Sequence, residues 1–345
     1  KGGTGKGGCG TVWIPLLGQF KGIACLMVST PFTLFFVFAR PFPNSPSLPS
    51  CATLPSYTPS TLFITRAVHL KPDTQAGGLP AAAAPHWTVR PFILWGYRDC
   101  MGWRQCWRSL LTVHNETGNV WTHVFGLLLF LFLQVHELLR QDKTLHHRLV
   151  ASGYILATNF CMATSAVFHL MTPHSKQVYE RCLRFDMTGI ALVIIASFLV
   201  GLHYGYWCHP FLGRLYFSIV GVLSCIALAW PHMPKLLHNF NLSVTFFASF
   251  VAFALVPLFH WVSVVGGLSS EQATLFFWKL IATFGLYALG FLFYGAQFPE
   301  RFYSGKFDIV GHSHQLWHIA VLLGALEFYT AMQAYAGYRE THTCS

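Results

Sequence analysis

The amino-acid sequence predicts an all-α membrane protein: a seven-transmembrane helix bundle with its N-terminus in the cytoplasm and its C-terminus outside, preceded by a short amphipathic helix. Composition and segment length predict it. Apolar residues make up 54% of the 345 residues and charged residues only 10%, where a soluble domain carries about a quarter charged residues. Downstream of position 119, seven apolar segments follow one another, each with the roughly 20 residues that cross a bilayer as a helix. The polar loops between them are short, so neighbouring spans run antiparallel. The formal net charge is +10. In such a chain basic residues mark cytoplasmic loops, and no nucleic-acid partner is expected.

Residues 1–90 read as a low-complexity N-terminal region. The opening KGGTGKGG lacks the Ser or Thr that follows GK in a phosphate loop. The first methionine is Met27, so either the true start is missing or the opening residues come from a doubtful region. Residues 22–39 are apolar but contain Pro31, and fit a signal-like segment, an extra span or an artefact. Residues 40–86 are rich in Pro, Ser, Thr and Ala and read as a disordered linker.

Residues 91–119 form a juxtamembrane segment. Trp103, Trp107, Leu110 and Leu111 recur at helical spacing with Arg104 and Arg108 between them, the pattern of a helix lying on a membrane surface. The bundle occupies 120–337, with spans at 120–139, 149–172, 185–207, 211–230, 243–264, 275–296 and 312–337. A short tail, 338–345, ends the chain. The ten cysteines include no CxxC pair, so a thiolate metal site is not indicated. Cys161 and Cys225 lie in apolar runs and read as packing residues.

Loop charges set the orientation. Arg90, Arg98, Arg104, Arg108, Lys176, Arg181, Arg184, Lys235, Arg301 and Lys306 fall on one side, and Arg140, Lys143, Arg148, Arg214 and Arg339 on the other. The positive-inside rule places the richer side, with the N-terminus, in the cytoplasm. The sequons at Asn115 and Asn241 then face the cytoplasm and stay unglycosylated. The host is the plasma membrane or an endomembrane.

The remaining signal is polar residues at one depth. His169 lies one turn before Pro173 at the cytoplasmic end of the second span, with Ser165 one turn away on the same face. Asp186 stands at the mouth of the third span. His314 and His318 are four apart at the start of the seventh, so they share a helical face, while His312 points away. Ionisable groups inside a membrane are costly and are usually paired or functional. Three imidazoles from two helices match a catalytic zinc site, which keeps a fourth position open for water. Asp186 suits holding that water or taking its proton, and Ser165 suits donating a hydrogen bond. His123, His136, His203 and His260 also lie in apolar segments and read as hydrogen-bonded structural residues.

At these residues the chain resembles the progestin and adipoQ receptor family, most closely its adiponectin-receptor-like members. The resemblance is carried by His114-Asn-Glu-Thr-Gly-Asn-Val-Trp-Thr-His123, Ser165-Ala-Val-Phe-His169, Phe185-Asp-Met-Thr-Gly-Ile190, and Pro299-Glu-Arg-Phe-Tyr-Ser-Gly-Lys-Phe-Asp308 leading to Ser313-His-Gln-Leu-Trp-His318. It covers residues 91 to about 337. It implies seven spans with an internal N-terminus, and Zn2+ held by His169, His314 and His318, with Asp186 at the metal's water and Ser165 nearby. The same polar residue types mark a wider membrane-hydrolase superfamily that includes alkaline ceramidases. Ser304 stands where the family usually has proline, and the N-terminal region shows no family regulatory segment.

These readings converge on a zinc-dependent lipid amide hydrolase acting on a ceramide-like membrane lipid, linked to lipid signalling or homeostasis. The alternative is a non-enzymatic receptor for an extracellular protein or steroid ligand, with a structural zinc. A third reading is a membrane scaffold that tethers partners through its cytoplasmic segment. Oligomeric state stays open, a homo-oligomer included.

Overall fold

A computed structural model describes residues 78–342 together with Cys344. The opening glycine-rich stretch, the apolar run at 22–39 and most of the linker lie outside the described residues. Within the described residues there are seven helices long and apolar enough to cross a membrane: Thr117–Leu139, Leu145–Met171, Lys176–Gly205, Pro210–His232, Asn241–Val264, Glu271–Ala296 and Ser313–Thr341. The only β pairing among them is one isolated bridge between Leu79 and Tyr97.

The helices are longer than the apolar runs. The third begins at Lys176, nine residues before the apolar stretch, because Ser175 caps it by accepting from Val178 N and the charged turn of 176–184 continues the helix below the membrane. The second begins at Leu145 behind the cap Thr144, which accepts from His147 N. The fifth span is two helices, Phe240–Phe253 and Leu255–Val264. Pro257 accounts for the break, since its ring blocks the bond to the carbonyl four residues back.

Burial orders the bundle. Of the apolar window of each span, 78% is buried in the second, 56% in the seventh and 50% in the third, against 22% in the first and sixth. The three spans that carry Ser165, His169, Asp186, His314 and His318 are therefore the three most enclosed. The first span turns Trp121, Phe125, Leu128 and Phe132 outward, a lipid-facing stripe. Cys161 is buried, as a packing residue should be, whereas Cys225 is exposed on the surface of the fourth span and packs nothing there.

Two glycines allow the approach of spans that bear polar residues. A Cβ on Gly189 would stand 2.8 Å from Cys161 Cα and from Thr164 Oγ1, so glycine there lets the third span press against the second, one turn from both Asp186 and Ser165. A Cβ on Gly118 would stand 2.4 Å from the Gln315 side chain, which brings the first span against the start of the seventh.

The juxtamembrane helix is Trp103–Arg108, followed by a 3-10 turn at Ser109–Leu111. Cys106 is fully buried, while Trp107 and Leu111 are exposed. Residues 78–90, ahead of the change in composition at Pro91, also dock on the bundle. Trp87 donates its indole N–H to Thr172 O at 3.0 Å, and Arg90 reaches Glu116 at 2.9 Å. At the opposite end of the helices, Cys208 and Cys344 form a disulfide, a pairing with no sequence-level signal.

Candidate metal centre

The start of the seventh span is built by side chains that replace its missing backbone partners. Ser313 is the first helical residue, and its N-cap, His312, makes no side-chain cap bond. Instead the Glu300 carboxylate accepts from Ser313 N at 2.7 Å and from the Ser313 hydroxyl. A carboxylate at this position also favours the helix dipole. Gln315 closes the turn: its Oε1 accepts from Gly311 N at 2.7 Å and its Nε2 donates to Ile309 O at 2.8 Å. Gly311 has φ +86, a left-handed turn suited to glycine. His312 points away, as expected, with Nε2 3.0 Å from Asn115 O. The helix start thus fixes where His314 and His318 stand.

The end of the second span is held by Arg98, which donates to His169 O at 2.6 Å, Leu170 O at 2.9 Å and Thr172 Oγ1 at 3.0 Å. A guanidinium on the last carbonyls satisfies groups the helix leaves open. Burial outweighs the opposing Glu116 charge and lowers the Arg98 pKa to about 10.

These two helix ends bring His169, His314 and His318 together. Their ligand atoms all lie within 4.8 Å of one another, and Nε2 of His169 is 3.3 Å from Nε2 of His314. Two nitrogens on one tetrahedral ion, at bond lengths of about 2.0–2.1 Å, stand about 3.3 Å apart. The donor set fits a metal ion. Nδ1 of His169 lies 2.8 Å from Glu116 Oε2, and Nδ1 of His318 lies 3.1 Å from Asn119 O. Both acceptors take a proton on Nδ1 and leave the Nε2 lone pair free for a metal.

Ser165 and Asp186 are both buried, and Asp186 lies close enough to Ser165 and to His169 for both to act on its charge. The three imidazoles singled out from the sequence therefore converge, and Asp186 and Ser165 are buried on the neighbouring turns of the second and third spans. None of the five lines it, but a cavity of about 190 Å³ with almost entirely apolar walls begins within a turn of them, at Cys161, Ile190 and Trp317, and runs to Trp261 and Tyr335 at the far end.

Two further residues, neither assigned to the metal site from the sequence, lie next to the imidazoles. Glu116, one residue before the first span, is buried and accepts from Arg90 Nε at 2.9 Å, Asn119 Nδ2 at 2.5 Å and the His169 ring. Burial raises its pKa, but Arg90 and His169 outweigh this and hold the carboxyl well below its usual range. His123 corrects an expectation. It is not a hydrogen-bonded structural residue: its ring stacks on His318 at 3.8 Å, and neither of its nitrogens has a partner. By contrast His260 Nδ1 meets Tyr216 Oη at 2.7 Å, and His203 Nε2 meets His146 Nε2 at 2.9 Å. His136 is exposed near the end of the first span.

Comparison with known proteins gives the same picture. The haemolysin-III-related family pattern matches residues 111–329. The chain is 32% identical over 263 residues to the adiponectin receptor protein of Drosophila melanogaster, covering 74% of this chain and 59% of that one. It is 33% identical over 268 residues to heptahelical transmembrane protein 1 of Arabidopsis thaliana, covering 73% of this chain and 79% of that one. It is 26% identical over 261 residues to progestin and adipoQ receptor family member 3 of Homo sapiens, covering 74% and 84%. The chain thus spans 59% of the Drosophila relative's length. Ser304 donates its hydroxyl to Phe92 O at 2.9 Å. With three clustered histidines on a seven-span bundle and these matches over most of its length, the chain belongs to the haemolysin-III-related family of membrane proteins, together with the progestin and adipoQ receptors.

Proposed function

We propose that this protein is a zinc-dependent lipid amide hydrolase whose substrate is a ceramide-like membrane lipid. The observation that carries the reading is the set of three clustered imidazoles, two buried and His314 partly buried, beside a buried carboxylate and hydroxyl. A structural zinc normally takes four protein ligands, whereas a catalytic one takes three and leaves a position open.

When bound at His169, His314 and His318, zinc supplies Lewis acidity toward an amide carbonyl and toward water. The chain's own residues do the rest. The Asp186 carboxylate accepts a proton from water and returns it to the amine that leaves. Ser165 orients that carboxylate and offers a hydrogen bond to the substrate. The apolar cavity between the second, third, fifth, sixth and seventh spans holds an acyl chain and keeps bulk water away. Water adds across the C–N bond, giving a fatty acid and a sphingoid base.

A receptor without turnover is the second reading. The relatives' names favour it: the Drosophila protein is called an adiponectin receptor and the human one a progestin and adipoQ receptor family member. In that reading the metal ties the second span to the seventh, and an extracellular protein or steroid ligand biases the bundle.

The test is fatty-acid release from ceramide by detergent-purified protein, with metal content measured alongside. Release by the zinc-loaded wild type, lost in the His169→Ala/His318→Ala double variant, is the expected result. One bound zinc per chain without release from ceramide or a related lipid amide leaves the receptor reading. No bound metal removes both.

A further inference from the structure

We propose that Glu116 is a positioning residue for the metal ligand His169, anchored in turn by Arg90, so that the docked segment at 78–100 bears on the metal through two successive polar contacts. The assignment rests on the metal-site reading above, but not on hydrolysis.

The His169 ring is fully enclosed, and Glu116 Oε2, at 2.8 Å, is the acceptor facing its Nδ1. Nε2 looks the other way, toward His314. An imidazole has one proton and two nitrogens when neutral. Loss of the carboxylate frees that proton to move to Nε2, the atom a metal needs bare, and frees the ring to turn. A carboxylate on the outer nitrogen of a ligating histidine fixes its tautomer and raises its basicity.

Glu116 is itself held by two further donors. Asn119 Nδ2 donates to the oxygen that faces His169, and Arg90 Nε donates to the other at 2.9 Å. Arg90 lies on no span. Its segment is tied to both helices that carry the imidazoles. Trp87 and Arg98 bond the end of the second span, and Trp95 N donates to Asp308 at 2.8 Å in the loop that leads to the seventh. The contacts run from this segment through Arg90 and Glu116 to His169, with each hydrogen bond buried or partly buried.

The experiment compares wild type, Glu116→Gln and the Arg90→Met/Glu116→Gln double variant, purified as full chains in detergent. Zinc affinity is read by competition with a chromophoric chelator. The second variant removes the cation that Glu116→Gln strands, so a folding defect in the single variant does not block the test. We expect zinc to bind about 10–100-fold more weakly in both variants, with wild-type helical content in the metal-free double variant. In 15N-histidine-labelled, zinc-loaded wild type, the His169 resonance, identified by its absence from His169→Gln, should carry its proton on Nδ1. Unchanged zinc affinity in both variants, or a proton on Nε2 of His169, overturns the proposal. Weakened affinity in a protein that releases no fatty acid supports this assignment while removing the hydrolase reading. A wild type that takes up no metal overturns both.

Discussion

The Nε2 atoms of His169 and His314 stand 3.3 Å apart although 145 residues separate them in the chain. That distance is a tertiary product. It exists because Arg98 pins the end of one span and Glu300 pins the start of another.

The imidazoles should therefore act as a unit. Replacing His318 with Ala leaves two ligands, and zinc retained after purification should fall below about 0.1 ion per chain, since the binding free energy of such sites depends on the complete ligand set. Elemental analysis checks this. Stoichiometric zinc in the variant would place the metal elsewhere.

Asp186→Asn separates chemistry from binding. The side chain keeps its shape, and the three imidazoles are untouched, so the variant should still carry metal. Fatty-acid release should fall by about 10²–10⁴-fold, the usual share of a proton-transferring group. Equal turnover in wild type and variant contradicts the role given to the carboxylate.

Gly189 tests how the site is assembled. A leucine there drives its Cβ to within 2.8 Å of Cys161 Cα, a backbone atom that cannot swing aside. Overpacking of this kind costs about 1–3 kcal/mol or more. Gly189→Leu should lower the melting temperature and separate Asp186 from Ser165, whereas Gly221→Leu, whose Cβ meets nothing within 4 Å, should leave the melting temperature near wild type.

Acid should loosen the juxtamembrane segment. His114 has its pKa lowered from 6.5 to about 4, by burial first and by Arg98 second, and its Nε2 lies 3.1 Å from Ser109 O. A depressed folded-state value means that the stability contribution is fully present above the unfolded value of 6.5. It is lost progressively as pH falls toward 4, about 3 kcal/mol in all. Thiol labelling of the buried Cys106 should accelerate across that window, and His114→Gln should remove that pH dependence.

The orientation has its own test. If the C-terminal ends of the third and seventh spans face outside, the disulfide of Cys208 with Cys344 lies in a non-reducing compartment. An impermeant thiol reagent should then reach Cys208 only from that side and only after reduction. Labelling from the cytoplasmic side, or glycan on Asn115 or Asn241, reverses the topology.

Much of this protein is determined by sequence alone. A bilayer has one thickness and a helix one rise per residue, so apolar runs of about 20 residues disclose the spans. The same arithmetic places His169, Asp186, His314 and His318 at one depth. Helical periodicity sets Ser165 on the face of His169. Tertiary structure decided what that arithmetic does not reach. Hydropathy marks where the membrane begins, not where a helix begins, and so Lys176–Arg184 extends the third span unseen. Depth and face do not specify which side chain meets which across two helices. That is why Glu116 on the His169 ring, His123 stacked against His318, and Cys208 joined to Cys344 emerge only when the chain is packed. Each such contact depends on side chains interdigitating at close range, where one glycine, such as Gly189, settles whether two helices touch.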